Sequence, residues 1–437
     1  MSQTATTATA SLAQGGDFEN TTYGKVTLRL VPFLFMCYVF AYLDRVNVGF
    51  AKLQMLSDLK FSETIYGLGA GIFFIGYFLF EVPSNLMLHR FGARKWIARI
   101  MVTWGVISAA MIYVSTPTTF YILRFFLGVA EAGFFPGIIL YLTYWYPSAR
   151  RGKITALFMT GIPVAGVIGG PLSGWILNRF QNINGMPGWQ WLFLLEAIPS
   201  VLGGIAVFFY LDDKISDAKW LDRNQQAMLE KNIAEGEKTI AVHSAAGAFK
   251  NRTVWVLCLG YFGIIMGLYG ISFWLPSLIK ASGISDPLQI GWLTMIPYAF
   301  TAVAMVLVGR SSDKMKERRW HVALPAIIGA LGLIASTLIP HDVVFAVVTL
   351  SIATMGIFSA LCQFWSIPPA FLGGAAAAAG IAMINSIGNL AGFVSPYLVG
   401  WIKDLTKSTD IGLYCIAFSL VVAALVVLSM DKRVVNK

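Results

Sequence analysis

What most constrains this chain is a succession of about twelve apolar runs, each about 20 residues or longer, the length a helix needs to cross roughly 30 Å of hydrocarbon. They fall near 28–52, 65–88, 96–115, 118–146, 153–177, 189–211, 253–279, 288–309, 320–339, 343–371, 375–402 and 410–430. In lipid only helices and closed barrels satisfy every backbone polar group. Unbroken runs such as Gly69 to Phe80 lack the alternation of a barrel strand. The sequence therefore predicts an all-α membrane protein with twelve transmembrane helices. A composition 57% hydrophobic and 12% charged, with a mean hydropathy of +0.69, excludes a soluble fold.

A net charge of +10 would suggest nucleic acid in a soluble protein, but here the bases gather in alternate short loops. Arg90, Arg94, Lys95 and Arg99 follow the second run, Arg150, Arg151 and Lys153 the fourth, and Arg310, Lys314, Lys316, Arg318 and Arg319 the eighth. The positive-inside rule puts those loops and both termini in the cytoplasm, and no nucleic-acid partner is expected. The expected order is a cytoplasmic tail (1–27), a six-helix bundle (28–211), a cytoplasmic linker (212–252), a second six-helix bundle (253–430) and a short tail (431–437). The first 20 residues read as disordered, without a signal-peptide pattern. The linker balances its charges and reads as solvated chain, with 217–231 able to form an amphipathic surface helix.

Cys37, Cys258, Cys362 and Cys415 sit inside apolar runs without paired spacing and read as small hydrophobes. His89, His243, His321 and His341 fall in or beside loops and form no ligand cluster. No metal, cofactor or enzymatic site is expected, and no signalling domain that would make the chain a sensor.

Buried charge is unevenly placed. Asp44 and Arg45, Glu81, Arg124 and Glu131, and Glu196 all lie inside apolar runs of the first half. The second half has no Asp, Glu or Arg in such positions, and Lys280 and Lys403 fall at segment ends. Charges in hydrocarbon are costly unless they face a bundle interior or a wet cavity, so the first half is where ions are handled.

A weak internal repeat divides the chain in two. Asn85-Leu-Met-Leu-His89-Arg90-Phe-Gly92-Ala-Arg94-Lys95 follows the second run and Gly309-Arg-Ser-Ser-Asp313-Lys314-Met-Lys-Glu317-Arg318-Arg319 the eighth. Both resemble the Gly-x-x-x-Asp-Arg-x-Gly-Arg-Arg signature of the major facilitator superfamily. His89 stands in the first copy where the pattern has Asp, Asn85 where it has Gly and Ala93 where it has Arg; the second copy keeps Gly309 and Asp313. Tyr42-Leu-Asp44-Arg45-Val-Asn47, Arg124-Phe-Phe-Leu-Gly128-Val-Ala-Glu131-Ala-Gly133-Phe-Phe-Pro136-Gly137 and Phe273-Trp274-Leu275-Pro276 resemble the anion:cation symporter family. These are bacterial organic-acid permeases, among them carriers of tartrate, galactonate, glucarate, phthalate and 4-hydroxyphenylacetate. The resemblance implies two pseudo-symmetric six-helix halves, a monomer in the inner membrane, and proton-coupled uptake of a small organic anion, with exchange or facilitated uniport as alternatives.

Arg124 and Glu131 are seven residues apart and share a helix face, while Asp44 and Arg45 diverge by roughly 100°. A carboxylate that loses its arginine to an incoming anion takes up a proton more readily, so anion and proton bind together. Asp44 and Glu131 are the proton-coupling candidates, and Arg45 and Arg124 the substrate-binding ones, Arg being a planar, always charged fork. The alternative is a structural ion-pair cluster locking helices one and four. Tyr42, Tyr77, Tyr269, Trp365, Asn385 and Asn389 are further substrate-binding candidates, alongside Tyr261, Trp274, Phe364 and a Pro368-Pro369 break. Ile162, where sugar-acid carriers of the family have Gln, favours a less polar or aromatic acid. Glu81, about a turn from the basic loop, is expected to salt-bridge Arg90 or Arg94 as a gate, with Asp313 and Arg318 the counterparts in the second half. Glu196 reads as a buried packing acid.

Overall fold

The computed structural model describes residues 2–237, 251–368 and 374–436. His243, Pro369 and the side chain of Lys153 lie outside the described residues. Span 1 consists of α1 (Ser2–Val46) and α2 (Val48–Leu59), joined at Asn47; span 2 is α3 (Glu63–Phe91) and span 3 is α4 (Ala93–Ala110). Span 4 is α5 (Pro117–Glu131) with α6 (Phe134–Thr143), span 5 is α7 (Ser148–Met159) with α8 (Gly161–Arg179), and span 6 is α9 (Gly188–Tyr210). After a surface helix, α10 (Arg223–Glu237), come span 7, α11 (Arg252–Ala281), span 8, α12 (Pro287–Met315), and span 9, α13 (Arg319–Ala335). Span 10 is α14 (Val343–Phe364), span 11 is α15 (Gly374–Asn389) with α16 (Ala391–Thr406), and span 12 is α17 (Asp410–Leu428).

Among the described residues, ten of these spans are apolar helical stretches of at least 18 residues, counting the broken span 4 as one. Span 9 and the two halves of span 11 are shorter, at 17, 16 and 16 residues, and complete the twelve. Large apolar side chains such as Phe126, Phe209, Leu307 and Phe418 point outward, as expected for a surface solvated by lipid. Span 7 is the most enclosed: 78% of its apolar window is buried, against 39% for span 6.

The packing repeats between halves. Span 3 lies on span 6 as span 9 lies on span 12, and span 2 on span 4 as span 8 on span 10. The halves meet along two seams, span 5 with span 8 and span 2 with span 11. Small residues make the seams close: a Cβ on Gly170 would come within 2.6 Å of the Gly291 carbonyl oxygen.

Two expectations need correction. From Asp17 the chain is helical and continuous with span 1, so residues 17–20 do not belong to a disordered tail, because extending an existing span costs far less than nucleating a new helix. This extension is tied down, with Arg150 bonded to Glu19 at 3.1 Å and stacked on Tyr23. The surface helix begins at Arg223 rather than near 217, since Asp222 accepts the Gln225 amide at 2.8 Å and caps it there.

Candidate functional site

The 100° between neighbouring helical positions separates Asp44 from Arg45. Arg45 turns into the space between the halves. Its Nε donates to Glu131 Oε1 at 3.0 Å, its Nη2 bonds the same oxygen, and its Nη1 donates to the Tyr269 hydroxyl at 3.0 Å. The guanidinium also faces the rings of Phe73 and Tyr77, each 5.4 Å away. Glu131 reaches it because α5 ends there: Ala132 has ψ 130° and Gly133 takes φ +85°, where a Cβ would also collide with Ser84. Arg45 is therefore held by one helix of its own half and one of the other.

Asp44 points the opposite way. Its carboxylate accepts from Trp104 Nε1 at 2.9 Å, from Ser108 at 3.0 Å and from the Ser200 hydroxyl, which ties span 1 to spans 3 and 6. Arg124 also stays off the central space. It donates to the carbonyls of Gly69 and Ala70 at 3.2 and 3.3 Å, stacks on Phe73 at 5.1 Å, and its Nη1 has no partner among the described residues. The expected four-residue cluster is thus one ion pair, Arg45–Glu131, with Asp44 and Arg124 on its flanks. Neighbouring backbone and donor groups claim those two before the cavity can.

A cavity with about 580 Å³ of unfilled space lies against Arg45. Six of the residues expected in binding line it with Arg45: Tyr42, Tyr77, Tyr269, Trp365, Asn385 and Asn389. Ile162 and Tyr261 are also on its wall. Tyr42 bonds Ser272 across the halves at 2.9 Å. Tyr38 and Phe74 line the cavity too and were not singled out from sequence. A helical signal for Tyr38 exists, since positions 38, 42 and 45 recur at i, i+4, i+7. Among the described residues the wall is aromatic and aliphatic, with one cation and two amides.

The sequence profile for the Major Facilitator Superfamily matches residues 34–396. The chain belongs to that superfamily. It is 50% identical over 417 residues to a Pseudomonas putida protein named NicT, for metabolite transport, covering 95% of each chain. It is also 50% identical over 419 residues to an Agrobacterium vitis protein named for tartrate transport, covering 95% of this chain and 96% of that one. Among solved structures, a bacterial homologue of the human lysosomal transporter Spinster superposes with a TM-score of 0.74 at 16% identity, over 91% of this chain and 95% of that one. The protein is a transporter and not an enzyme, built on the major facilitator fold.

In this superfamily member the contacts between halves differ at the two ends of the bundle. At the end carrying the termini, Glu81 does not reach Arg90 or Arg94. It accepts from Asn385 at 2.9 Å and Ser386 at 3.4 Å in the opposite half, because span 11 lies against that face of span 2. Arg94 instead pairs with Asp213 at 3.8 Å, Arg90 is exposed beside Phe91, and Arg318 pairs with Asp313 at 2.6 Å within the second half. At the opposite end Glu63 bridges Lys52 (2.7 Å) and Lys403 (2.6 Å), and Lys52 sits 3.4 Å from the Trp274 ring. Asp404 caps span 2 by accepting the Thr64 amide at 2.8 Å, and Tyr66 donates to the Phe273 carbonyl at 2.8 Å. Sequence reading missed this charged seal; its trace is that Lys52, Glu63 and Lys403 stand at the ends of three apolar runs.

Proposed function

We propose that this transporter imports a small organic anion by proton symport, the two halves rocking about the cavity to give alternating access. The observation that carries the proposal is Arg45: a cation on the cavity wall, shared between Glu131 of its own half and Tyr269 of the other. A substrate carboxylate entering the cavity competes for the guanidinium fork and displaces Glu131. Glu131, left in an apolar surround, takes up a proton, so anion and proton load together. Asp44 serves as a second proton-coupling carboxylate: its protonation would weaken its hold on Trp104, Ser108 and Ser200 and so loosen span 1. Arg124 contributes positive charge behind Phe73.

The remaining wall points to the body of the substrate. Tyr42, Tyr77, Tyr269 and Trp365 offer ring faces, and Asn385 and Asn389 offer amides to hydroxyl or carboxyl groups. With Ile162 rather than an amide on span 5, the pocket suits a short hydroxy-dicarboxylate such as tartrate or a planar aromatic acid better than a long polyol chain. The names of the two relatives, for tartrate and metabolite transport, agree. The basic loops on the termini side support, by the positive-inside rule, a cytoplasmic position for that side in a bacterial inner membrane. The cavity is lined within one chain, so a monomer suffices.

Uptake of radiolabelled L-tartrate and of an aromatic monocarboxylate into proteoliposomes, with and without an inward proton gradient, tests the reading. Symport requires accumulation above equilibrium with the gradient. Movement that depends only on unlabelled acid inside would make the protein an exchanger, and equilibration indifferent to both would make it a uniporter.

A further inference from the structure

Arg45 and Arg124 spend their guanidinium groups on acceptors inside the chain, a carboxylate and two backbone carbonyls. Arg99 does not. It stands on the second turn of span 3, inside the third apolar run and half-buried. Its Nε is buried with no hydrogen-bond partner, and no carboxylate lies within ion-pair distance of it among the described residues. Asp213, at the start of the same helix, is already taken: it pairs with the Arg94 side chain and accepts the Arg94 amide at 2.8 Å.

What holds Arg99 is aromatic. Its Cζ lies 4.0 Å from the centre of the Trp96 ring, Trp96 stacks on Phe91 at 5.7 Å and 13°, and Phe91 has the Arg90 guanidinium 5.7 Å from its own ring. Two arginines are thus joined by a stacked pair of rings. The pair is fixed in place, since Trp96 Nε1 donates to Ser84 at 3.0 Å and Ser84 packs against Gly133, where span 4 breaks. The platform also faces outward. Lys95, Arg99, Val102 and Val106 form one stripe of α4, with Lys95 and Val106 exposed, while Ile97, Met101, Trp104 and Ser108 on the other side are buried. Exposed valines on a span face acyl chains, so Arg99 and Lys95 stand where hydrocarbon gives way to headgroups, the level at which tryptophan concentrates. A cation held there without an acid matches an anion that arrives with its own acyl chains. A phosphodiester of net negative charge fits the guanidinium forks and the apolar stripe together, whereas a zwitterionic lipid brings a cation of its own.

We propose that Arg99, with Lys95, Arg90 and the Trp96 ring, binds the headgroup of one anionic phospholipid on the outer face of spans 2 and 3, at the end that carries the termini. The site lies outside the substrate cavity. It is independent of which acid that cavity carries, and its test needs no substrate.

The test is native mass spectrometry of the full chain in detergent, titrated with phosphatidylglycerol or with phosphatidylcholine of the same acyl chains. The wild type retains a first phosphatidylglycerol in preference to phosphatidylcholine. Arg99→Gln weakens that first binding about fivefold, the contribution of one basic residue at an anionic headgroup. Lys314→Gln, which removes an exposed base from the same end of the other half, leaves it unchanged. Should Arg99→Gln not fold, the exposed Lys95→Gln carries the test, with a loss of about threefold. Equal losses in Arg99→Gln and Lys314→Gln would mean attraction spread over all the basic loops, and equal retention of the two lipids would mean binding by acyl chains alone. Displacement of the lipid by millimolar inorganic phosphate would mean a site for free anions. Any of these three results overturns the proposal.

Discussion

Arg45 and Tyr269 meet across the two halves of the bundle, guanidinium nitrogen to phenol oxygen at 3.0 Å. One end of this bond belongs to span 1 and the other to span 7, so it cannot survive unchanged when the halves separate. It is also made by the one cation that lines the central cavity among the described residues. A ligand that bonds Arg45 therefore acts on the contact between halves as well as on its own affinity.

Tyr269→Phe removes the phenol oxygen and keeps the ring against Phe74, 4.2 Å away centroid to centroid. A hydrogen bond to a charged group contributes about 1.5–3 kcal/mol, part of which cavity water replaces. Arg45 then loses one of its two anchors. The apparent KM for the transported acid should rise about tenfold, with the thermal midpoint little changed. An unchanged KM would show that Tyr269 does not position the arginine.

Glu131→Gln leaves Arg45 buried beside a neutral amide. Removing one partner of a buried pair costs about 3–5 kcal/mol, less here because Arg45 touches the cavity. The variant should melt earlier than wild type and gain more from added substrate, since an anion supplies the missing charge. Counterflow should persist while gradient-driven accumulation falls well below the wild-type ratio. Accumulation at the wild-type ratio would remove Glu131 from coupling.

Asp44→Asn separates two roles for a carboxylate that faces away from the cavity. Asn has one acceptor oxygen, whereas Asp44 accepts from Trp104, Ser108 and Ser200. At least one donor loses its partner, lowering stability by about 1–3 kcal/mol. If Asp44 also carries a proton, the number of protons moved per substrate falls by about one, measured from reversal potentials in proteoliposomes. Lower stability with unchanged stoichiometry would leave Asp44 a strut between spans 1, 3 and 6.

The fold was legible because lipid leaves the backbone few choices, and long apolar runs report that constraint directly. That Asp44 and Arg45 must diverge followed from helical geometry. Which of them meets the cavity did not, because it depends on donors contributed by Trp104, Ser108 and Ser200 from spans that pairwise spacing cannot place. Glu81 shows the same limit: its nearest bases in sequence are Arg90 and Arg94, yet its partners lie some 300 positions away, at Asn385 and Ser386. Lys52, Glu63 and Lys403 were given no role because a charge at the end of an apolar run reads as a membrane boundary. Only the packing of spans 1, 2 and 11 turns three boundary charges into one cluster.

That cluster yields the last expectation. Glu63 is the anion that both Lys52 and Lys403 share, and the Lys52 side chain is only 4% exposed, so salt screens the arrangement poorly. In Glu63→Gln two ammonium groups remain close with no carboxylate between them, one on each half of the bundle. Their repulsion favours the state in which this end is open, and a bias of about 1.4 kcal/mol shifts the open-to-closed ratio tenfold. A cysteine placed at Tyr42, in a chain whose Cys37, Cys258, Cys362 and Cys415 are replaced by alanine, reports the change. Labelled in intact cells by a membrane-impermeant maleimide, it should react several-fold faster when Glu63→Gln is added. Lys403→Ala added to Glu63→Gln removes the repulsion and should bring the rate part of the way back. Equal rates in all three would mean that the glycine-lined backbone contacts of spans 2 and 11 hold this end shut without the charges.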